Sequence, residues 1–182
     1  MSSVPQSRAF VTQQRIAHCR KGLRSAPGCD IVKISEIKTG GTALEYRKFG
    51  DTYIVRMDRD EEILAQLKIF AEKEQVKLAS VTALGAVKDF TIGVFDTSAK
   101  AYHSNRFQGV YEIVSLVGTI NTKDGDFYCH LHMCAGDQEG HAFGGHLNEA
   151  VISATCELVV TCLPGETDRV FSDEVGLNLI SF

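Results

Sequence analysis

The sequence predicts an α+β domain in which one helix packs on a face of a sheet. One stretch near residue 65 has apolar residues at helical spacing, and several stretches of strand-like composition follow it along the chain. Turn-forming residues separate a number of these stretches, as at 96–98, 121–125 and 163–165. One helix followed by six or seven strands is typical of a sheet that is covered on one side.

The elements are predicted in the following order. A strand at 53–57 precedes a helix that Asp58 or Asp60 caps and that continues to about Val76. The apolar stripe of this helix comprises Ile63, Leu67, Phe70 and Ala71, and it indicates core packing. The later strands are predicted at 78–84, 90–96, 101–107, 111–120, 127–134, 151–162 and 177–180.

The most informative segment for function holds four of the six histidines within residues 130–146. Residues 127–135 alternate in character, which predicts a half-buried strand with His130 and His132 on one face. Residues i and i+2 of a strand lie roughly 7 Å apart, so both imidazoles can converge on one metal ion. The pair therefore indicates a first-row metal site, with zinc as the expected ion, although paired strand histidines are also common without any metal.

A third ligand must come from elsewhere in the chain. His146 is favoured because Gly144 and Gly145 before it permit a tight bend or a close backbone approach. His141 is the alternative, but it follows a polar segment that is typical of a solvated hairpin tip. Cys134 lies on the same predicted strand face and is a possible fourth ligand. Three histidines alone would leave an open coordination position, as in catalytic zinc sites.

Several segments of the chain resemble the plant and prokaryote conserved (PPC) domain, which follows AT-hooks in a group of plant nuclear proteins and also occurs alone in bacteria and archaea. The matching segments are 83–87, 109–118, 130–132 and 140–147, within a region from Glu45 to about Ile180. The resemblance implies a mostly antiparallel sheet, a homotrimer, and a metal held by His130, His132 and His146. It divides the chain into a basic extension, residues 1–40, and a PPC-like domain, residues 41–182.

The chain departs from the plant members in two respects. The plant hexapeptide Gly-Arg-Phe-Glu-Ile-Leu, thought to engage partner transcription factors, reads Gly-Val-Tyr-Glu-Ile-Val at 109–114, and no Arg-Gly-Arg-Pro core of an AT-hook is present. Both differences place the chain with the stand-alone, histidine-bearing members. They weaken the expectation that it binds DNA.

Charge also disfavours DNA as a partner. The formal net charge is −4, and residues 1–29 contain five basic residues and no acidic one, so the remainder is strongly acidic. Duplex-binding surfaces usually cluster lysine and arginine, and Arg47-Lys48 is the densest basic pair of the body. A local basic patch on an acidic domain would still permit binding.

Cysteine usage and the N-terminal segment bear on location. The six cysteines form no C-x-x-C pair, and the sequence shows no secretory signal or membrane-spanning run, which predicts reduced thiols in the cytoplasm. The basic, acid-free composition of residues 1–29 also suits a mitochondrial transit peptide, a disordered tail or a misplaced start codon.

Glu112 is the candidate catalytic or ligand-positioning carboxylate. It lies in an otherwise apolar predicted strand, where a charge is costly unless it is paired, points outward or contacts a bound group. Glu149 is a weaker alternative. His103, Asn105 and Arg106 form a polar group that is most simply a solvated loop but would also suit a small anionic ligand.

The sequence leaves three functions open. The first is a zinc-dependent site in a homotrimer that binds or transforms a small molecule. The second is a DNA-binding or transcription-factor-interaction module, as in the plant members. The third is a purely structural metal. No membrane partner is expected, and no motif names a substrate or a further cofactor.

Overall fold

The computed structural model describes residues 44–182 and shows one α-helix and eight β-strands. The strands are β1 (Glu45–Phe49), β2 (Thr52–Asp58), β3 (Ala79–Asp96), β4 (Ala101–Lys123), β5 (Asp126–Gly136), β6 (Ala142–Cys162), β7 (Asp168–Ser172) and β8 (Leu177–Ser181). The helix, α1, spans Ile63–Glu74 between β2 and β3. The predicted basic extension, residues 1–40, and its targeting role lie outside the described residues. None of the described helices is long and apolar enough to span a membrane.

The main sheet is antiparallel throughout and has the strand order β1-β2-β6-β3-β4-β5. An additional pairing joins β5 to the first part of β6, so that β6, β3, β4 and β5 form a closed ring of strands. The second part of β6 pairs with β2 instead. This exchange of partners along β6 places its first residues beside the predicted histidine strand.

The core lies between the sheet and α1. The predicted helix stripe of Ile63, Leu67, Phe70 and Ala71 is buried, as the helical spacing predicts. Leu131 and Met133 of β5 belong to the same apolar cluster. At about 25 cal/mol per Å² of apolar surface removed from water, each of the larger of these side chains contributes about 1.5–3 kcal/mol to folding.

The start of α1 differs from the prediction. Glu62, and not Asp58 or Asp60, is the N-cap residue, and the helix ends at Glu74, two residues before Val76. The Glu62 carboxylate accepts hydrogen bonds from the backbone N–H groups of Leu64 and Ala65, at 3.1 and 2.6 Å. It also accepts one at 3.0 Å from the backbone of Ala150 in β6. The longer side chain is used here because it bridges the helix end to the sheet.

The strand boundaries were also predicted wrongly at several points. The segments 78–84 and 90–96 form one strand, β3, and the segments 101–107 and 111–120 form another, β4. Register shifts near Gly85 and Gly109 are the reason, because both glycines have positive φ within continuous strands. In addition, β6 begins at Ala142 rather than at 151, and β1 and β7 were not predicted.

Candidate metal centre

Two of the predicted ligands lie on β5. Leu131 and Met133 face the core, so the alternation of the strand places His130 and His132 on the opposite face. The centroids of their rings are 5.2 Å apart. His130 is half-buried and His132 is exposed. The strand that the sequence predicted therefore presents this pair as expected.

The third predicted ligand, His146, reaches the pair from β6. It lies directly opposite His132 in the β5–β6 ladder and opposite Gly93 in the β3–β6 ladder. Its ring centroid is 5.0 Å from that of His130 and 5.7 Å from that of His132. One ring nitrogen from each of the three histidines lies within 4.8 Å of the others. The structure thus brings the three predicted ligands together as one cluster.

Glycines next to His146 make this arrangement possible. A Cβ on Gly145 would lie 2.7 Å from the carbonyl oxygen of Gly93, so the two strands approach closely only because residue 145 has no side chain. The sequence predicted either a tight bend or a close backbone approach at this glycine pair. The structure shows the close approach, and neither Gly144 nor Gly145 has a positive φ. Gly93 in turn leaves space for the ring of Tyr102, which lies edge-on to His146 at 6.2 Å.

Burial and neighbouring groups favour the neutral form of the imidazoles of His130 and His146. Burial lowers the pKa of His130 to about 4, and His146, Arg169 and His132 act in the same direction. Burial also lowers the pKa of His146, with further contributions from His132 and Arg169. Neutral imidazole is the form that binds a metal ion, so no proton has to be displaced from these two ligands near pH 7.

Arg169 of β7 is a residue of the site that the sequence did not indicate. It is only 6% exposed, and its Nη2 lies 3.5 Å from Nδ1 of His130. Its Nε donates a hydrogen bond to Oδ1 of Asn121 at 3.2 Å, and its guanidinium lies over the ring of Tyr128 at 4.7 Å. The sequence carried little evidence that Arg169 belongs to the site, because an isolated arginine after a Pro-Gly turn is normally exposed to solvent.

The cluster fits a zinc-type ion in its donor chemistry. Three imidazole nitrogens form a common set of protein ligands for catalytic zinc, with bonds of about 2.0–2.1 Å. Tetrahedral geometry then requires roughly 3.3 Å between ligand atoms. A separation of up to 4.8 Å reaches that value through small side-chain rotations.

The alternative ligands lie elsewhere. His141 follows the β5–β6 turn, where its Nδ1 is 3.0 Å from Oδ2 of Asp137. The same carboxylate accepts hydrogen bonds from the backbone N–H groups of Glu139 and His141. The turn therefore accounts for the positions of the Asp137 and His141 side chains in this second group of possible ligands. Cys134 lies opposite Gly144 and is not part of the histidine cluster.

The two candidate carboxylates are not brought to the cluster within the chain. Glu112 is exposed on β4 and lies opposite Gly136, whereas His132 lies opposite Val117. Its side chain faces outward, which is one of the arrangements that the sequence allowed for a charge in this strand. Glu149 is exposed on β6, opposite Thr91 of β3.

Arg106, one member of the polar group predicted before Gly109, has a structural explanation. Arg106 and Gln108 both donate hydrogen bonds to Asp89 of β3, at 2.8 Å each. These two bonds lower the pKa of Asp89 to about 2. Arg106 is therefore engaged by a carboxylate and is not a free cation for an anionic ligand.

Comparisons with solved structures agree with this fold. A protein from Bacteroides thetaiotaomicron, named as a candidate DNA-binding protein, is 30% identical, with a TM-score of 0.74 over 76% of this chain and 97% of that one. A metal-containing protein from Archaeoglobus fulgidus is 31% identical, with a TM-score of 0.69 over 78% and 100%. A plant- and prokaryote-conserved protein from Pyrococcus horikoshii is 31% identical, with a TM-score of 0.67 over 80% and 98%.

No curated protein matches the chain. The family model of the Plants and Prokaryotes Conserved (PCC) domain matches residues 44–164, about two thirds of the sequence. This range includes β1 to β6 and all three histidines of the cluster, and it ends before Arg169. The resemblance inferred from the sequence motifs is thereby confirmed: the chain belongs to the Plants and Prokaryotes Conserved domain family.

Proposed function

We propose that this protein binds one divalent metal ion, zinc, through His130, His132 and His146, and that a small molecule binds at the coordination position left open. The convergence of three imidazoles from two strands is the observation that carries the proposal. No carboxylate belongs to this cluster among the described residues, so the ligand set is neutral. A zinc ion held this way acts as a Lewis acid and lowers the pKa of a bound water.

Metal analysis of the purified protein tests this proposal. We expect about one zinc ion per chain in the wild type. A His132→Ala variant should lose that ion, because only two protein ligands would remain. His132 is the best position to change, since its exposed side chain contributes little to packing. His141→Ala is the matched control and should retain the metal. A wild-type protein without stoichiometric metal, or equal loss in both variants, would contradict the proposal.

Chelation and cobalt(II) substitution separate an open metal site from a purely structural metal. If the ion only holds β5 and β6 together, chelation should lower the melting temperature and no small ligand should perturb the spectrum of a cobalt(II)-substituted protein. If the open position binds ligands, that spectrum should change on addition of a small ligand.

DNA binding is the second candidate function, favoured by the description of the similar Bacteroides protein. Electrostatics argue against it here. Residues 44–182 contain 12 lysines and arginines against 21 aspartates and glutamates. Most of these cations lie within ion-pairing distance of a carboxylate. Retention on duplex DNA that falls steeply with salt would support this function, and absence of retention at low salt would reject it.

We also propose that the protein is a homotrimer. Large apolar side chains exposed at several positions along β3 and β4 support self-association, since an interface between subunits would remove them from water. They are Leu84, Val94, Val110, Val114 and Val117, with exposed fractions of 47–63%. Sedimentation equilibrium should give about three times the chain mass of 19.9 kDa. A monomeric mass at micromolar concentration would be incompatible with this assembly.

We propose a cytoplasmic location. The cysteines among residues 44–182 are all free thiols, which suits a reducing compartment. Fusion of residues 1–35 to a fluorescent reporter tests the mitochondrial alternative: a diffuse cytosolic signal supports the proposal, and mitochondrial accumulation rejects it.

A further inference from the structure

The side chain of Arg169 is a buried cation whose contacts among the described residues are all with neutral groups. Its Nε donates to the amide oxygen of Asn121 at 3.2 Å, and its Nη1 donates to the carbonyl oxygen of Asn178 at 2.9 Å. The ring of Tyr128 and the Nδ1 of His130 complete its surroundings. Within residues 44–182, no carboxylate lies within ion-pairing distance of this guanidinium.

A buried charge without a counter-ion is costly, and arginine cannot lose its proton to relieve that cost. Metal binding at the histidine cluster would increase the positive charge that has no counter-ion. Its three ligands are neutral when they bind metal, so a divalent ion would add two positive charges beside the guanidinium. The titratable groups that lower the pKa of His130 and His146 are Arg169 and other histidines of the cluster, with no carboxylate among them.

Arg169 and its neighbour Asn121 also have hydrogen-bond donors that are not used within the described residues. Arginine has five N–H donors, and its hydrogen bonds to Asn121 and Asn178 use two of them. The Nδ2 group of Asn121 is buried and has no hydrogen-bond partner. A ligand can approach the cluster past His132, which is exposed.

We propose that the open position of the metal site selects an oxyanion, the carboxylate or phosphate group of a small molecule, and that Arg169 is the second point of its recognition. This inference rests on the proposed metal site. One oxygen of the anion would occupy the open coordination position, while the guanidinium fork faces the other oxygens and balances their charge. An anion supplies the counter-charge that residues 44–182 of the same chain do not provide.

The simpler interpretation is that Arg169 only holds the β7–β8 hairpin against the sheet. The two roles differ in what they predict for ligands of different charge. A structural arginine would affect anionic and neutral metal ligands equally. An anion-recognising arginine would affect only the anionic ones.

Ligand titrations of the cobalt(II)-substituted protein, followed by visible absorption, test the proposal with three probes: inorganic phosphate, acetate and neutral imidazole. For the wild type we expect saturable binding of phosphate, acetate or both at millimolar concentration, and comparison of the two distinguishes the phosphate from the carboxylate class. In Arg169→Gln, anion binding should weaken at least tenfold, while imidazole binding and the cobalt stoichiometry should be unchanged. Arg169→Lys keeps the charge without the fork and should give an intermediate loss.

Each outcome bears on one of the two proposals. Absence of cobalt and zinc from the wild type would remove the metal site itself. A metal-loaded wild type that binds imidazole but neither anion would overturn the anion proposal alone, and so would an equal loss of all three probes in Arg169→Gln. If Arg169→Gln does not fold, the selectivity of the wild type and the Arg169→Lys titrations still decide the question.

Discussion

At the residue scale, only one of the two glycines before His146 occupies a position without space for a side chain. A Cβ on Gly145 would meet the backbone oxygen of Gly93 at 2.7 Å, and backbone atoms cannot rotate away. A Cβ on Gly144 would have its nearest neighbours at 3.6–3.9 Å, which is ordinary van der Waals contact. The two positions therefore form a matched pair that separates steric pressure on the metal centre from the loss of glycine itself.

We expect Gly145→Ala to destabilise the protein by about 1–3 kcal/mol, the usual cost of overpacking, and to weaken metal binding by displacing His146. Gly144→Ala should change the free energy of unfolding by less than about 0.5 kcal/mol, as for an unremarkable surface change. Urea denaturation and zinc titration of both variants measure these effects. Equal behaviour of the two variants would show that the close approach of β6 to β3 does not position His146.

The residues of the site differ in how far the sequence could predict them. His130 and His132 were predictable because strand alternation alone places i and i+2 on one face. His146 was favoured by its glycines and by the family resemblance. Arg169 was not predictable, because its role depends on the hairpin packing over Asn121 and Tyr128, which local patterning does not encode.

At the scale of the elements, the start of α1 couples the helix to the strand that carries His146. The Glu62 carboxylate caps two backbone N–H groups of the helix and accepts a third from Ala150 of β6. Glu62→Ala leaves these donors without their partner, and we expect a loss of about 1–2 kcal/mol in the free energy of unfolding.

Glu72→Ala is the control for this prediction. Glu72 lies on the same helix, and its ion pair with Lys68 is exposed, so its removal should cost less than about 0.5 kcal/mol. Thermal or urea unfolding of the two variants gives the comparison. A Glu62→Ala variant as stable as Glu72→Ala would show that the cap and its link to β6 contribute little.

The strands also show why the fold class was predicted correctly from the sequence while several strand boundaries were not. The predicted strands at 78–84 and 101–107 end close to Gly85 and Gly109. These glycines are sites of irregular register at which long strands bend while pairing continues. Bending of this kind lets four strands close into a ring, and closure is a tertiary property. The first part of β6 was missed for a related reason, because its glycine-rich segment at 143–146 has little strand propensity of its own.

At the scale of the whole molecule, the histidine cluster links folding to pH. The pKa of His130 falls from its ordinary value of 6.5 to about 4 in the folded protein, chiefly through burial. Between these two values the unfolded chain binds more protons than the folded one, so stability rises with pH across the window. The contribution is complete above about pH 6.5 and is lost as the pH falls toward 4.

We therefore expect the metal-free wild type to lose stability between pH 6.5 and pH 4 more steeply than a His130→Asn variant, which lacks the titrating ring. Carboxylates such as Asp89 titrate in both proteins, so their effect cancels in the difference. Unfolding free energies from urea titrations at intervals of half a pH unit give the slopes. Parallel curves for the wild type and His130→Asn would mean that the buried imidazole does not couple folding to protonation.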